Sequence, residues 1–336
     1  MRRTIGLLLL TAAGCGGAAE ESASTIDAES AEAAADATTT DTAVPPIDSN
    51  QATDTATAPD ASTETKTGSC ITDPSPGTRS FSCAGIGYTV TIPPSCPSGG
   101  CGLILDVHGA TMNAAMEEAN TQLRVSAPKL GFVVIQPTAP GKVPSTSWTP
   151  VTDDVKVHAV LLEAIDVLGI DKRRVHMAGF SQGGMMTSRF LCRWADLFAS
   201  VAPAAGTGCS FIGVDAPSRE VPMLYMHGTA DVLVAFAQGT AQRDAAIGAW
   251  KMTGGTTVAS DGKYSWKRWT SPKGTVLEFI QHDYKASSLA LQGHCYPGST
   301  DKGAEPGQLF PFACLPSNAF VWGDEVLKFF VAHPRP

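Results

Sequence analysis

The sequence predicts an α/β fold with a mostly parallel central sheet flanked by helices. Candidate strands alternate with helical patterns from about residue 100 onwards, and continuous apolar runs such as 102–107 are typical of buried parallel strands. A third observation is the segment Gly179-Phe180-Ser181-Gln182-Gly183, which follows an apolar run and precedes a helical pattern. A strand, a sharp turn with Ser181 at its apex and a helix are therefore expected there.

The other elements follow from short apolar runs and from helical spacing. Besides 102–107, strands are expected at 87–92, 132–135, 174–178, 198–202, 221–226 and 276–280. Apolar residues recur at helical spacing over 154–168, with Gly169 as the stop, and helices are also expected after Ser181 and over 318–331. An apolar fraction of 43% over 336 residues is sufficient for a sizeable core.

Residues 1–15 are typical of a secretory signal. Arg2 and Arg3 precede an apolar run at 5–10, and small residues follow at 12–14. The sequence around Cys15 also resembles a bacterial lipobox, which predicts lipidation of this cysteine, although Ala12 stands where leucine is more usual. The protein is therefore expected outside the cytoplasm as a bacterial lipoprotein, with free secretion as the alternative, and any membrane contact is expected only through this anchor.

Residues 16–68 are predicted to be a disordered acidic linker. The segment contains eleven acidic residues, one lysine and almost no large apolar side chains, so it cannot bury enough surface to offset the entropy cost of ordering. A folded domain is expected over 69–336. This domain is close to neutral and has no basic patch, which argues against a nucleic-acid partner.

Eight cysteines beyond Cys15 predict disulfides in an oxidising compartment. None of them forms a paired Cys-x-x-Cys zinc pattern. Proximity along the chain suggests the pairs Cys70–Cys83, Cys96–Cys101, Cys192–Cys209 and Cys295–Cys314.

Ser181 requires a base and an orienting carboxylate to act as a nucleophile. Asp231 follows the strand at 221–226, and His294 lies in a Gly- and Pro-bounded loop after the strand at 276–280. The chain order Ser, Asp, His is that of the α/β-hydrolases. His282 is an alternative base, and Asp215 is an alternative carboxylate that precedes its strand.

An oxyanion hole is expected from two backbone N–H groups, those of Gln182 and Ala110. Ala110 follows the strand at 102–107, where Gly109 permits a close backbone approach. Trp148 and Tyr296 are candidates for lining an acyl or aromatic pocket, although Trp148 is equally well explained as a partly buried loop residue. The scattered histidines predict no metal site, and the sequence contains neither a phosphate loop nor a dinucleotide fingerprint.

Four segments resemble the secreted esterases of the polyhydroxybutyrate depolymerase group, which is similar to the feruloyl and acetylxylan esterases. They are 179–186 (Gly-Phe-Ser-Gln-Gly-Gly-Met-Met), 196–203 (Asp-Leu-Phe-Ala-Ser-Val-Ala-Pro), 227–231 (His-Gly-Thr-Ala-Asp) and 293–298 (Gly-His-Cys-Tyr-Pro-Gly). The resemblance extends over roughly residues 100–331. Tyr296 and Ala110 depart from the family, which often has Trp and Cys there, and the pair Cys192–Cys209 looks like the family's.

The resemblance implies a disulfide-stapled α/β-hydrolase fold and a cofactor-free serine esterase. Ser181 would be the nucleophile, His294 the base and then the acid, and Asp231 the orienting carboxylate. The implied substrate is a polyester or oligomer, as in a polyhydroxybutyrate depolymerase, with a feruloyl or acetylxylan ester of a plant polysaccharide as the alternative. A non-catalytic binding protein and a peptidase or acyltransferase are the other function classes that this scaffold permits.

Overall fold

The computed structural model describes residues 69–96, 99–209 and 216–336. Ten strands of this part of the chain form one sheet in the order β1-β2-β4-β3-β5-β6-β7-β10-β9-β8. The strands are β1 (Gly77–Cys83), β2 (Ile86–Ile92), β3 (Gly102–Val107), β4 (Phe132–Thr138), β5 (Val175–Phe180), β6 (Ser200–Ala204), β7 (Met223–Gly228), β8 (Thr253–Ser260), β9 (Tyr264–Thr270) and β10 (Val276–His282).

The centre of the sheet is parallel and its two sides are antiparallel. Strands β4, β3, β5, β6, β7 and β10 run in the same direction. On one side β2 pairs antiparallel with β4, and β1 pairs antiparallel with β2. On the other side β9 pairs antiparallel with β10, and β8 pairs antiparallel with β9. The carboxyl ends of the six parallel strands therefore meet at one edge of the sheet.

Helices cover both faces of this sheet. They are α1 (Ala114–Thr121), α2 (Leu123–Ser126), α3 (Thr152–Val167), α4 (Gln182–Trp194), α5 (Phe236–Ala249) and α6 (Trp322–Ala332). Side chains of α3, α4 and α5 pack into one core layer, and side chains of α1, α2 and α6 pack into the other. Successive side chains of β3 point into opposite core layers: Leu103 and Leu105 pack in the first layer, and Ile104 packs in the second. The predicted mostly parallel α/β sheet is confirmed.

Every predicted strand is present, the one at 102–107 with the same bounds and the others with shifted ends, and the helices predicted at 154–168, after Ser181 and at 318–331 correspond to α3, α4 and α6. Strands β1, β8 and β9 and helix α5 were not predicted. Most residues of β8 are exposed, and α5 contains only two buried residues. Such elements lack the apolar pattern from which the other elements were inferred.

Four disulfides join cysteines that are near neighbours along the chain, and they are the four suggested by proximity. The bonds are Cys70–Cys83, Cys96–Cys101, Cys192–Cys209 and Cys295–Cys314. The last of these bonds joins two cysteines of the long segment between β10 and α6, and this segment also contains His294.

Several sequence-based predictions lie outside the described residues. These are the signal at 1–15 with Cys15, the linker at 16–68 and the alternative carboxylate Asp215. Among residues 69–96, 99–209 and 216–336, no helix combines the length and apolar character needed to cross a membrane.

Candidate active site

Ser181 lies at a strained turn between β5 and α4. Its φ of 54° and ψ of −119° are uncommon for a residue with a side chain. The turn is held by a 2.9 Å hydrogen bond from the N–H of Ser181 to the carbonyl oxygen of Ala204. A Cβ atom at Gly183 would lie 1.8 Å from the carbonyl oxygen of Val107, so only glycine fits there. The Gly-x-Ser-x-Gly segment thus forms the expected strand–turn–helix.

Asp231 and His294 form a short hydrogen bond at the same edge of the sheet. Nδ1 of His294 lies 2.6 Å from Oδ2 of Asp231, and both side chains are buried. The other oxygen, Oδ1, accepts the backbone N–H groups of Leu233 and Val234 at 2.9 and 2.8 Å. Because both carboxylate oxygens are engaged, the Asp231 side chain is fixed in the orientation that contacts His294.

Two glycines allow the loops that contain Asp231 and His294 to meet. A Cβ atom at Gly228 would lie 2.1 Å from the carbonyl oxygen of Gly293, and one at Gly293 would lie 2.6 Å from the backbone nitrogen of Asp231. The N–H of Gly293 donates to the carbonyl oxygen of Ala230 at 3.1 Å. A side chain at position 293, directly before His294, would therefore clash with the backbone of the loop that contains Asp231.

His294 also lies beside the residue that precedes the nucleophile. The centroids of the Phe180 and His294 rings are 4.6 Å apart. Since Nδ1 of His294 donates to Asp231, the imidazole retains Nε2 as its proton acceptor, as a general base requires. The structure therefore brings Ser181, Asp231 and His294 to one edge of the sheet.

The environment of Asp231 keeps its carboxyl group ionised. Burial raises the pKa of Asp231, but hydrogen bonds from His227 and His294 and from the backbone N–H of Val234 outweigh burial and hold the pKa well below its ordinary value. A carboxylate in this state stabilises the imidazolium that forms when His294 accepts a proton.

His227 is a second histidine at the carboxylate, and its contact was not predicted. Its Nε2 lies 3.4 Å from Oδ2 of Asp231 and 2.8 Å from the carbonyl oxygen of Val234. A Cβ atom at Gly239 would lie 2.5 Å from Nδ1 of His227, so α5 packs directly on the ring. The sequence signal was the spacing of four residues between His227 and Asp231 across the strand end.

His282, the alternative base, is buried at the end of β10. Its side chain is 1% exposed, and burial lowers the pKa of His282 to about 4. Within the described residues, Nδ1 of His282 has no hydrogen-bond partner, whereas the Asp231 carboxylate is bonded to His294. The geometry therefore favours His294 over His282.

The loop after β3 lies directly against the nucleophile. A Cβ atom at Gly109 would lie 3.0 Å from Cβ of Ser181, so the predicted donor Ala110 comes directly after a residue that packs against the nucleophile. The second predicted donor, the N–H of Gln182, is at the first position of α4, where N–H groups have no intrahelical acceptor. Both N–H groups are thus located beside Ser181.

His108 fixes the conformation of this loop as a neutral imidazole. Its Nδ1 donates to the carbonyl oxygen of Gly109 at 2.6 Å, and its Nε2 accepts the N–H of Ala139 at 3.0 Å. Burial lowers the pKa of His108 to about 4, which keeps the accepting nitrogen unprotonated. This role was not predicted from the sequence.

Trp148 and Tyr296 are buried, which favours the loop-residue alternative for Trp148 and argues against a pocket-lining role for either side chain. Trp148 is 3% exposed, and its Nε1–H donates to the carbonyl oxygen of His108 at 2.9 Å. Its backbone N–H donates to Oε1 of Gln182 at 3.0 Å. Tyr296 is fully buried, with its hydroxyl group donating to Glu117 at 2.6 Å. Both aromatic residues support the loops of the site, and neither has a free surface for a substrate.

In the part of the chain that the structure describes, no group of His, Cys, Asp and Glu side chains has the geometry of a metal site.

The chain matches named esterases over part of its length. It is 29% identical over 136 residues to a bifunctional acetylxylan esterase/xylanase of Neocallimastix patriciarum, covering 40% of this chain and 20% of that protein. It is 30% identical over 112 residues to feruloyl esterase B of Piromyces equi, covering 32% and 19%. The chain thus spans about one fifth of the length of these two relatives. No family model matches it.

The fold comparison extends over most of the chain. The acetyl xylan esterase from Aspergillus awamori superposes with a TM-score of 0.52 at 14% identity, covering 76% of this chain and 99% of that structure. At this identity the likeness concerns the fold. The feruloyl esterase-like part of the predicted resemblance is confirmed by the names of the two matched relatives, neither of which is named a polyhydroxybutyrate depolymerase. The chain is therefore a protein of α/β-hydrolase fold whose named relatives are esterases.

Proposed function

We propose that the chain is a serine hydrolase of carboxylic esters, with Ser181, Asp231 and His294 as its catalytic triad. The observation that carries the proposal is the 2.6 Å hydrogen bond between Asp231 and His294, formed beside a serine at a strained strand–helix turn. The esterase names of the matched relatives support the reaction class.

The geometry supports a reaction through an acyl-enzyme. Oγ of Ser181 attacks the ester carbonyl carbon while Nε2 of His294 takes the hydroxyl proton. The charge on the imidazolium is stabilised by Asp231. His294 then gives the proton to the departing alcohol, and a water molecule activated by His294 hydrolyses the acyl-enzyme.

The negative charge of the tetrahedral intermediate would be stabilised by the backbone N–H groups of Ala110 and Gln182. Their loops are fixed before the substrate arrives, because His108, Trp148 and the Gln182 side chain are hydrogen-bonded to one another or to neighbouring backbone. Preorganised donors of this kind typically contribute about 10²- to 10³-fold each to kcat.

Two substrate classes follow from the resemblance and the comparisons. A polyhydroxybutyrate-like polyester or oligomer is the first, and a feruloyl or acetyl ester of a plant polysaccharide is the alternative. The names of the two matched relatives favour the alternative. A non-catalytic binding role is disfavoured because all three triad residues are present at one edge of the sheet.

An extracytoplasmic location is part of the proposal, and the four disulfides support it because they require an oxidising compartment. The proposed organisation is a signal at 1–15, an acidic linker at 16–68 and the esterase domain at 69–336. Lipidation of Cys15 would tether the domain to a membrane, and free secretion is the alternative.

A substrate panel with a matched variant tests the proposal. The full-length, disulfide-bonded protein and Ser181→Ala would be assayed on p-nitrophenyl acetate and butyrate, methyl ferulate, acetylated xylan and polyhydroxybutyrate. We expect hydrolysis by the wild type and a loss of at least about 10³-fold in the variant. Preference for methyl ferulate or acetylated xylan would select the polysaccharide esters. Equal turnover by the folded wild type and the variant would contradict the proposal.

A further inference from the structure

Two buried acidic side chains lie side by side between β3 and α1, outside the proposed triad. Asp106 is 0% exposed and Glu117 is 1% exposed. The hydroxyl of Thr121 links them, since it lies 2.9 Å from Oδ2 of Asp106 and 3.1 Å from the backbone carbonyl oxygen of Glu117 one helical turn earlier. Two carboxylates that both carry charge in such a position would repel each other and would both lose hydration. To avoid this cost, at least one of the two acids must be uncharged or must be neutralised by a nearby cation.

The hydrogen bonds of Asp106 show where a donor is missing. Oδ2 of Asp106 accepts the Thr121 hydroxyl at 2.9 Å and Nε2 of Gln136 at 2.8 Å. Oδ1 is buried and, if both acids are treated as carboxylates, has no hydrogen-bond partner among the described residues. Buried oxygens of this kind are rarely left unpaired in folded proteins. A proton on the neighbouring carboxyl group would supply the missing donor.

Glu117 links this pair to the loop that contains His294. Its Oε2 accepts the Tyr296 hydroxyl at 2.6 Å. Tyr296 lies two residues after His294 and stacks on Phe180, with ring centroids 4.0 Å apart. Phe180 in turn precedes Ser181. The acid pair is therefore connected by direct contacts to both the nucleophile turn and the histidine loop.

The surrounding charges do not neutralise both acids. Arg124 of α2 is a cation beside this cluster, and its Nε is 3.5 Å from Oε2 of a third acid, Glu118. Asp301, on the segment after β10, is a further acid near Tyr296, and it accepts Nδ2 of Asn120 at 3.3 Å and the N–H of Phe312 at 2.8 Å. Among the described residues, the guanidinium of Arg124 thus faces more than one carboxylate, and a bound proton would supply a further positive charge.

We propose that Asp106 and Glu117 share one proton, carried by Glu117 and donated to Oδ1 of Asp106, and that this pair positions the His294 loop through Tyr296. Glu117 then uses both of its oxygens, one as a donor to Asp106 and one as an acceptor from Tyr296. Glu117 and Tyr296 act as positioning residues, since neither contacts the triad's reacting atoms. Burial, followed by the charge of Asp106, raises the pKa of Glu117 well above its ordinary value, in the direction this arrangement requires.

Infrared difference spectroscopy of the full-length protein tests the protonation directly. We expect a carbonyl band of a protonated carboxylic acid to persist at about pH 7, where ordinary carboxyl groups are ionised. The band should disappear in Glu117→Gln, persist in the matched control Glu118→Gln, and shift in Tyr296→Phe, which loses the hydrogen bond to Glu117. Absence of the band from the wild type, or its loss in Glu118→Gln alone, would overturn the proposal.

Stability as a function of pH provides a second readout. The native state keeps a proton on Glu117 that the unfolded chain releases above its ordinary pKa of 4.5. The native state therefore binds more protons than the unfolded state, and stability falls as pH rises through this window. The amide that Glu117→Gln introduces can donate and accept hydrogen bonds as protonated Glu117 does, but it cannot ionise. We expect the Tm of Glu117→Gln, relative to wild type, to rise between about pH 5 and about pH 8.

The shared proton would be contradicted if the Tm difference between Glu117→Gln and wild type stays constant, or decreases, as the pH rises over this range. If Glu117→Gln does not fold, the wild-type band and its shift in Tyr296→Phe decide the assignment, and an unshifted band would overturn it.

The positioning role rests on the proposed function: Tyr296→Phe should lower kcat with little change in KM, and an unchanged kcat would overturn that role. Neither the band nor the Tm depends on ester hydrolysis, so failure of the proposed function would be seen separately, as a folded wild type without turnover.

Discussion

Asp231 and His294 are 63 residues apart in the chain and are joined by a 2.6 Å hydrogen bond between Oδ2 and Nδ1. The other carboxylate oxygen is occupied by two backbone N–H groups of the turn that follows Asp231. The carboxylate therefore has one orientation, and it selects the imidazole tautomer in which Nε2 is free to accept a proton. This bond, and the elements that hold it beside Ser181, can be tested by substitution.

Replacing the carboxylate should remove the selection of this tautomer. Asp231→Asn retains the shape of the side chain but loses the negative charge that stabilises the imidazolium, so kcat for p-nitrophenyl butyrate should fall by roughly 10³- to 10⁴-fold. Asp261→Asn is the matched control, because Asp261 also accepts two backbone N–H groups in a turn but is exposed and contacts no histidine. Equal kcat values for wild type and Asp231→Asn would contradict the assigned role.

The two candidate bases should respond differently to the same substitution. His294→Gln should lose at least about 10³-fold in kcat, since no group then accepts the serine proton. His282→Gln should lose stability, because its ring is buried and stacks against Tyr284, but should retain turnover per folded molecule. Steady-state kinetics combined with circular dichroism would separate the two effects. Loss of turnover in folded His282→Gln, with turnover retained in His294→Gln, would reverse the assignment.

The indole of Trp148 should act through the oxyanion loop. Trp148→Phe removes the hydrogen bond to the carbonyl oxygen of His108, at a cost of about 1 kcal/mol in the free energy of unfolding. We expect kcat to fall while KM changes little. Trp266→Phe is the control, because it removes an indole hydrogen bond to Glu278 on β10, outside the site. If both variants have the kcat of the wild type, Trp148 has no part in positioning this loop.

Gly183 should be intolerant of any side chain. In Gly183→Ala the new Cβ atom would meet the backbone of Val107, the last residue of β3, so we expect loss of soluble folded protein or destabilisation by at least about 3 kcal/mol. Gly248→Ala in α5 provides the contrast, since nothing lies within 4 Å of the position that its Cβ atom would take. That variant should be stabilised by about 0.5–1 kcal/mol. Chemical denaturation measures both effects, and similar stabilities for the two variants would argue against this packing.

The parallel strands and the candidate triad could be inferred from the sequence because their signals are local. Apolar runs buried on both faces are continuous, as in β3, and each candidate triad residue follows the carboxyl end of such a run. The two outermost strands on one side of the sheet, β8 and β9, and helix α5 were missed because many of their residues face solvent and they have no strong apolar period. Their place in the sheet depends on contacts with distant segments that periodicity does not encode.

The structure argues against the pocket-lining interpretation of Tyr296, and for Trp148 it favours the alternative of a buried loop residue. Trp148 and Tyr296 were considered for their ring chemistry, whereas their side chains donate hydrogen bonds to His108 and Glu117, which lie 40 and 179 residues away in the chain. A signal for the acid pair was present in the sequence. Asp106 interrupts an otherwise apolar strand, and a charged residue in such a run requires a partner in the fold.

Covalent labelling of Ser181 would show whether this serine is an activated nucleophile. The full-length, disulfide-bonded protein would be incubated with an alkyl phosphonate ester and analysed by peptide mass spectrometry, with Ser181→Ala and Asp231→Asn in parallel. We expect one phosphonate on Ser181 in the wild type, slow labelling in Asp231→Asn, none in Ser181→Ala, and loss of ester hydrolysis in proportion to labelling. A folded wild type that is unlabelled at Ser181, or that hydrolyses esters undiminished after complete labelling, would contradict the proposed serine esterase.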